Sequence, residues 1–214
     1  HREYQVILVD EVQDYSPAAL YLLKALYPKS RFTLVGDDNQ AIFNSHTSFA
    51  TMQELFKEKQ TQYYALTKSY RTTGNITAFF ANLVADKRTM EILPVRPAGS
   101  PVVYREFQDP ASFAKILQDF QKAIGPAEQL TIITKTQAEA EELQHFANSQ
   151  VSVYPVALAK GLEFPHVLLY DVSEENYHSE RGVRLLYTAA SRSTKELWIT
   201  YQGTPAAVLP LNQS

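Results

Sequence analysis

The run Val6-Ile7-Leu8-Val9-Asp10-Glu11 constrains the fold more than any other stretch, because four apolar residues lead without a break into two adjacent carboxylates. A short, unbroken apolar run is the pattern of a strand buried on both faces of a parallel sheet. Acids at the carboxyl end of such a strand stand where open α/β sheets bind their ligands. Gln13 and Asp14 follow, and Ser16-Pro17 then carries an N-cap and first-turn signal. Leu20, Leu23, Leu26 and Tyr27 fall on one helical face, and Pro28 stops the helix. The acids therefore lie at a strand-to-helix turn. Two readings fit them: a solvated acidic loop, or a hard oxygen ligand for Mg²⁺ with a base near an attacking water.

The same alternation continues along the chain. Arg31-Phe32-Thr33-Leu34-Val35 reads as a second strand, ending in the polar loop Gly36-Asp37-Asp38-Asn39-Gln40. Ser48 caps a helix whose inward face is Phe49, Met52 and Phe56, and Tyr63-Tyr64-Ala65-Leu66 reads as a third strand. Ile76, Phe79, Phe80, Leu83 and Val84 have helical spacing, and residues 87–101, rich in proline, read as irregular. A strand starts at Val102-Val103-Tyr104. A helix then runs from Asp109-Pro110 to Gly125, with Phe113, Leu117, Phe120 and Ile124 inward. Further strands are expected at residues 130–133, 151–154, 167–170 and 197–200, with a capping box at Thr136–Glu139 and a helix over about 180–192. Strands alternating with helices from end to end predict parallel α/β layers.

Composition narrows the function classes. A net charge of −3 excludes a bulk polyanion binder, so any nucleic-acid contact must be a local patch. Cysteine is absent, which removes disulfide frameworks and thiolate metal sites. No apolar run approaches the roughly 20 residues that span a bilayer, and no signal peptide opens the chain. The expectation is a soluble, cytoplasmic protein with no membrane partner. The chain begins at His1 and enters a core-type strand almost at once, which suggests a piece of a longer protein.

Taken together, the polar loops match one family in order and spacing. Val9-Asp10-Glu11-Val12-Gln13-Asp14 resembles the Walker B motif, written DExQD, of UvrD/Rep-like superfamily 1 helicases, and Val35–Phe43 resembles their motif III. Ser69-Tyr70-Arg71-Thr72-Thr73 is similar to motif IV, Lys160-Gly161-Leu162-Glu163-Phe164 to motif V, and Leu186–Arg192 to motif VI. The resemblance implies RecA-like, P-loop-NTPase-type parallel sheets: the C-terminal half of a first motor domain over 1–65 and a complete second domain over 66–214. It implies ATP and Mg²⁺ as cofactors and single-stranded DNA as partner.

By the same resemblance, Asp10 would hold Mg²⁺ with Glu11 beside it, and Glu11 would polarise the hydrolytic water. Gln40 would sense the γ-phosphate, for which an amide suits because it both donates and accepts. Arg71 and Arg192 would be paired arginine fingers, whose planar guanidinium groups meet the charge of phosphoryl transfer with forked hydrogen bonds. Tyr70 would stack on adenine and Glu163 would accept from the ribose hydroxyl, with Gly161 and Gln13 completing the nucleotide-binding set. Each residue also has a plainer reading: a surface arginine, a core tyrosine, a turn-capping glutamate, a helix-entry glutamine. Phe43 fits two roles equally, a stacking surface on the single-strand path or a core aromatic.

The departures from the pattern are informative. No Gly-x-x-x-x-Gly-Lys-Ser/Thr occurs, so the phosphate cradle is expected on a missing N-terminal half, and this chain alone is expected to be inactive. Only 88 residues separate Arg71 from Lys160, leaving little room for the large helical insertion of UvrD-type enzymes. Motif III continues into Asn44-Ser45-His46-Thr47 rather than an aromatic and Arg-Gly, and Pro155-Val156-Ala157 replaces the usual Thr-x-His before motif V. This combination resembles the HelD, helicase-IV-like branch, some members of which act on RNA polymerase.

Overall fold

A computed structural model describes residues 4–42, 47–57, 61–64, 66, 68–83 and 92–212. The chain divides into two compact units, His1–Ala65 and Leu66–Ser214.

In the first unit, β1 (Val6–Val9) and β2 (Arg31–Leu34) pair in parallel, with Val6 opposite Arg31 and Val9 opposite Leu34. Between them runs α1 (Pro17–Leu26), capped by Ser16, whose side chain accepts from the Ala19 N–H. The second helix, α2 (Phe49–Phe56), is capped in the same way by Ser48 on Thr51. Val9, Val12, Leu20 and Met52 form the buried centre, with Ile7, Leu23, Leu34 and Leu55 against them. Both helices thus meet the Ile7/Val9 face of β1. Strand residues alternate sides, so Val6 and Leu8 point the other way and stay 59% and 68% exposed. The expectation of a strand buried on both faces is corrected accordingly. Leu26, expected inward, is 59% exposed. Six residues beyond Leu20, it has turned about 120° from that side chain at 3.6 residues per turn.

A second correction concerns residues 63–66. Tyr63, Tyr64 and Leu66 belong to no strand, and the last two are 83% exposed. An isolated extended segment has no neighbour to take its backbone hydrogen bonds, and its aromatic composition alone does not supply one.

The second unit opens with a two-residue pairing of β3 (Lys68–Ser69) and β4 (Leu93–Pro94), the latter inside the 87–101 stretch expected to be irregular. Helix α3 (Gly74–Ala81) buries Ile76, Phe79 and Phe80, while Val84 lies outside the described residues. The main sheet has β5 (Val103–Phe107), β6 (Leu130–Thr134), β7 (Val151–Pro155), β8 (Phe164–Leu169) and β9 (Ser193–Gln202), all parallel, in the order β5-β9-β8-β6-β7. Every residue of β6 is buried. Helix α4 (Pro110–Ile124) begins with a capping box between Asp109 and Ser112 and ends at Gly125, whose φ of 94° suits glycine. It lays Phe113, Ile116, Leu117 and Phe120 on the sheet, and Phe120 stacks on Trp198 with ring centroids 4.5 Å apart. The remaining helices are α5 (Gln137–Glu142), with its Thr136/Glu139 capping box, α6 (Val156–Ala159), α7 (Glu174–Tyr177) and α8 (Glu180–Ala190). No described helix is long and apolar enough to cross a membrane.

Candidate functional site

The carboxyl end of β1 delivers Asp10 and Glu11 to an exposed turn. Asp10 Oδ1 accepts from the Glu11 N–H at 2.9 Å. Glu11 itself is left-handed, with φ 50° and ψ 42°, a conformation that a side chain disfavours. Its carbonyl accepts from Asp14 N at 2.9 Å, closing the 3-10 turn Val12–Asp14. Gln13, fully buried, donates from Nε2 to Glu11 Oε2 at 2.5 Å and accepts at Oε1 from the Asp37 N–H at 3.1 Å.

The second loop is ordered by Asp37. Its Oδ1 caps the 3-10 turn Asp38–Gln40 by accepting from Asn39 N at 2.9 Å, and its Oδ2 accepts from Gln40 Nε2 at 2.9 Å. The unit therefore brings Glu11, Gln13 and Gln40 into one hydrogen-bonded group. Asp37, which sequence reasoning assigned no role, is the link, and the signal was its place directly after Gly36. Thr47 is also buried here: its N–H donates to Gln13 O at 3.1 Å and its hydroxyl to Tyr15 O at 2.5 Å. Phe43 lies outside the described residues.

In the second unit, Arg71 Nε meets Glu163 Oε1 at 2.9 Å, with both side chains substantially exposed. The backbone at Arg71 is held by Arg96, whose Nη1 donates to Arg71 O at 2.6 Å. Beneath it, the hydroxyls of Ser69, Thr72 and Thr77 are linked at 3.2 and 2.6 Å, with Thr72 and Thr77 buried. Tyr70 is 65% exposed, open for a planar group to stack on it. Gly161 turns the chain between α6 and β8 at φ 81°.

Arg192, at the end of α8, is buried. Its Nε donates to Thr188 O at 3.1 Å, Nη1 to Leu162 O at 3.4 Å and Nη2 to Ser191 Oγ at 2.9 Å. It thus ties the end of α8 to the loop that carries Gly161 and Glu163. Motifs remote in sequence meet through Arg71–Glu163 and Arg192–Leu162.

Among the described residues no group of three or more His, Asp or Glu side chains is arranged to hold a metal ion. Mg²⁺ asks for less, since one or two carboxylates suffice where water and phosphate oxygens supply the remaining ligands. The exposed Asp10 carboxylate with Glu11 beside it fits that donor set.

Parallel strands with chemistry-bearing loops at their carboxyl ends define a RecA-like α/β protein. The sequence pattern of the viral superfamily 1 RNA helicase core domain matches residues 1–200, and the chain belongs to that family. It is 26% identical to DNA helicase II of Haemophilus influenzae over 152 residues, 67% of this chain and 21% of that protein. The chain thus spans about a fifth of the length of that relative. Among solved structures, it resembles the C-terminal domain of a possible DNA helicase from Lactobacillus plantarum WCFS1, with a TM-score of 0.56 and 25% identity, covering 66% of this chain and 92% of that one. The PRRSV helicase shares the fold, with a TM-score of 0.53 and 14% identity over 91% of this chain and 34% of that one.

Proposed function

We propose that the chain is the C-terminal motor portion of a longer ATP-dependent DNA helicase or translocase. The observation that carries this reading is the hydrogen-bonded group Glu11–Gln13–Asp37–Gln40 in a chain of the superfamily 1 helicase core family. At this end of β1, Asp10 and Glu11 would hold Mg²⁺, Glu11 would polarise the attacking water, and Gln40 would sense the terminal phosphate. Bound Mg²⁺ would neutralise charge on the phosphate oxygens. Arg71 and Arg192 would meet the charge that develops on the transferred group, Arg192 by exchanging its bonds to Thr188 O, Leu162 O and Ser191 Oγ for phosphate oxygens. Tyr70 stacks on the base, and Glu163, aligned by Arg71, accepts from the ribose beside Gly161. Because the chain has no phosphate-loop sequence, the isolated fragment hydrolyses no ATP.

The test is steady-state ATPase of the full-length protein with and without single-stranded DNA. The expected result is DNA-stimulated turnover that Glu11→Gln abolishes and that Arg192→Ala lowers by about 10³-fold. Turnover indifferent to DNA and to Glu11→Gln overturns the reading.

A HelD-like reading, in which the same ATPase remodels RNA polymerase without processive unwinding, is favoured by one feature. Before motif V, where the resemblance to UvrD/Rep-like enzymes implies Thr-x-His, Pro155 and Val156 are buried apolar residues. ATPase that ignores DNA and responds to RNA polymerase would select this reading over the first.

A further inference from the structure

We infer that Gln13, seated against Gly36, is a positioning residue that sets Glu11 and Gln40 in one fixed relation. This rests on the reading above, in which Glu11 polarises water and Gln40 senses phosphate. The Gln13 amide is fully buried, and its two ends face partners of opposite kind. Nε2 points at the Glu11 carboxylate at 2.5 Å and Oε1 receives the Asp37 N–H at 3.1 Å. A flipped amide would set oxygen against carboxylate and N–H against N–H, so the partners leave only one orientation. From Asp37 the connection continues through its own carboxylate to Gln40 Nε2 at 2.9 Å. A single line of hydrogen bonds therefore joins the carboxylate at the end of β1 to the amide after β2.

Gly36 is the seat of this line. A Cβ at that position would lie 2.2 Å from Gln13 Oε1, 3.0 Å from Val12 Cγ1 and 3.2 Å from Val12 N. Any side chain there must push the Gln13 amide away, although Gly36 itself touches no reacting group. The left-handed backbone at Glu11 adds a reason for the device. Backbone at φ 50° persists only where the surroundings hold it, and Gln13 is one neighbour that holds the Glu11 side chain. The relay thus converts two separate loops into one rigid element.

The experiment uses the full-length protein, with ATP as the varied substrate and thermal melting alongside. Gly36→Ala and Gln13→Met should each lower kcat by about 10²-fold, the scale of a misplacement near 1 Å. KM for ATP should change by less than about threefold, because the interaction lost acts on the transition state. The double variant Gln13→Ala/Gly36→Ala removes the clash with the amide while the close Val12 contacts stay, so it should melt above Gly36→Ala without regaining kcat. Recovery of kcat together with stability, or single variants that keep kcat within about twofold of wild type, overturns the relay. Gln13→Met reads the outcome if Gly36→Ala does not fold. Glu11→Gln is the control that separates the two claims: loss of turnover there, with normal Gly36→Ala, leaves the ATPase reading standing and the relay refuted. Retained turnover in Glu11→Gln removes both.

Discussion

In the unit of residues 66–214, five parallel strands are covered by aromatic and aliphatic side chains, and every residue of β6 is out of water. In the unit of residues 1–65, two strands pair and one face of β1 keeps Val6 and Leu8 exposed. The smaller unit nevertheless has side-chain bonding between its loops, where Gln13, Asp37 and Gln40 are joined. The contrast lies in the support beneath the loops, because both halves also fix their chemistry-bearing residues by polar bonds. The larger one sets them on a dry sheet, whose order comes from apolar burial. The smaller one sets them by directional hydrogen bonds between loops, which tolerate little change in geometry but depend less on the amount of buried area.

The comparison can be broken at its strong end first. Phe120→Ala removes the ring stacked on Trp198 and should cost about 3–5 kcal/mol in chemical denaturation of the chain. A cost near that of a surface substitution would show that the sheet of the larger unit is not held by this stack. Next in size, Asp109→Ala deletes one side of the capping box on α4 and should cost about 1 kcal/mol in the same measurement.

A pH titration sharpens the same side. The Glu128 carboxyl is held below its ordinary 4.5 by the hydrogen bond from His166 and then by the Lys195 ammonium. Nε2 of the buried His166 stands 3.0 Å from Glu128 Oε2, and Lys195 Nζ 3.9 Å. A carboxyl lowered on folding stabilises above its unfolded value, and that contribution disappears as pH falls through the folded one. The melting temperature should therefore fall more steeply in wild type than in Glu128→Gln between about pH 5 and pH 3. Parallel curves would remove the ion pair from the account.

The smallest effect belongs to the open face of the smaller unit. Leu8→Ala should change stability by no more than about 0.5 kcal/mol, as surface positions do. A cost of several kcal/mol in the full-length protein would mean that this face is covered there, and the contrast between the units would then describe this chain alone.

What the sequence by itself determined is what local physics sets. Periodicity placed most of the strands and helices, because an apolar stripe must face a core. The caps at Ser16, Ser48, Asp109 and Thr136 were readable, since each bonds within three residues of itself. The loops that match the superfamily 1 helicase family were readable as spellings. The tertiary structure alone decided which spellings meet: Arg71 with Glu163, Arg192 with the Leu162 carbonyl, Gln13 with the Asp37 N–H. It also decided that Tyr63, Tyr64 and Leu66 form no strand and that Val6 and Leu8 lack a covering layer. Periodicity carries no record of partners that lie tens of residues away. Whether a face is covered, or a buried amide finds its acceptor, depends on elements that only the folded chain brings together.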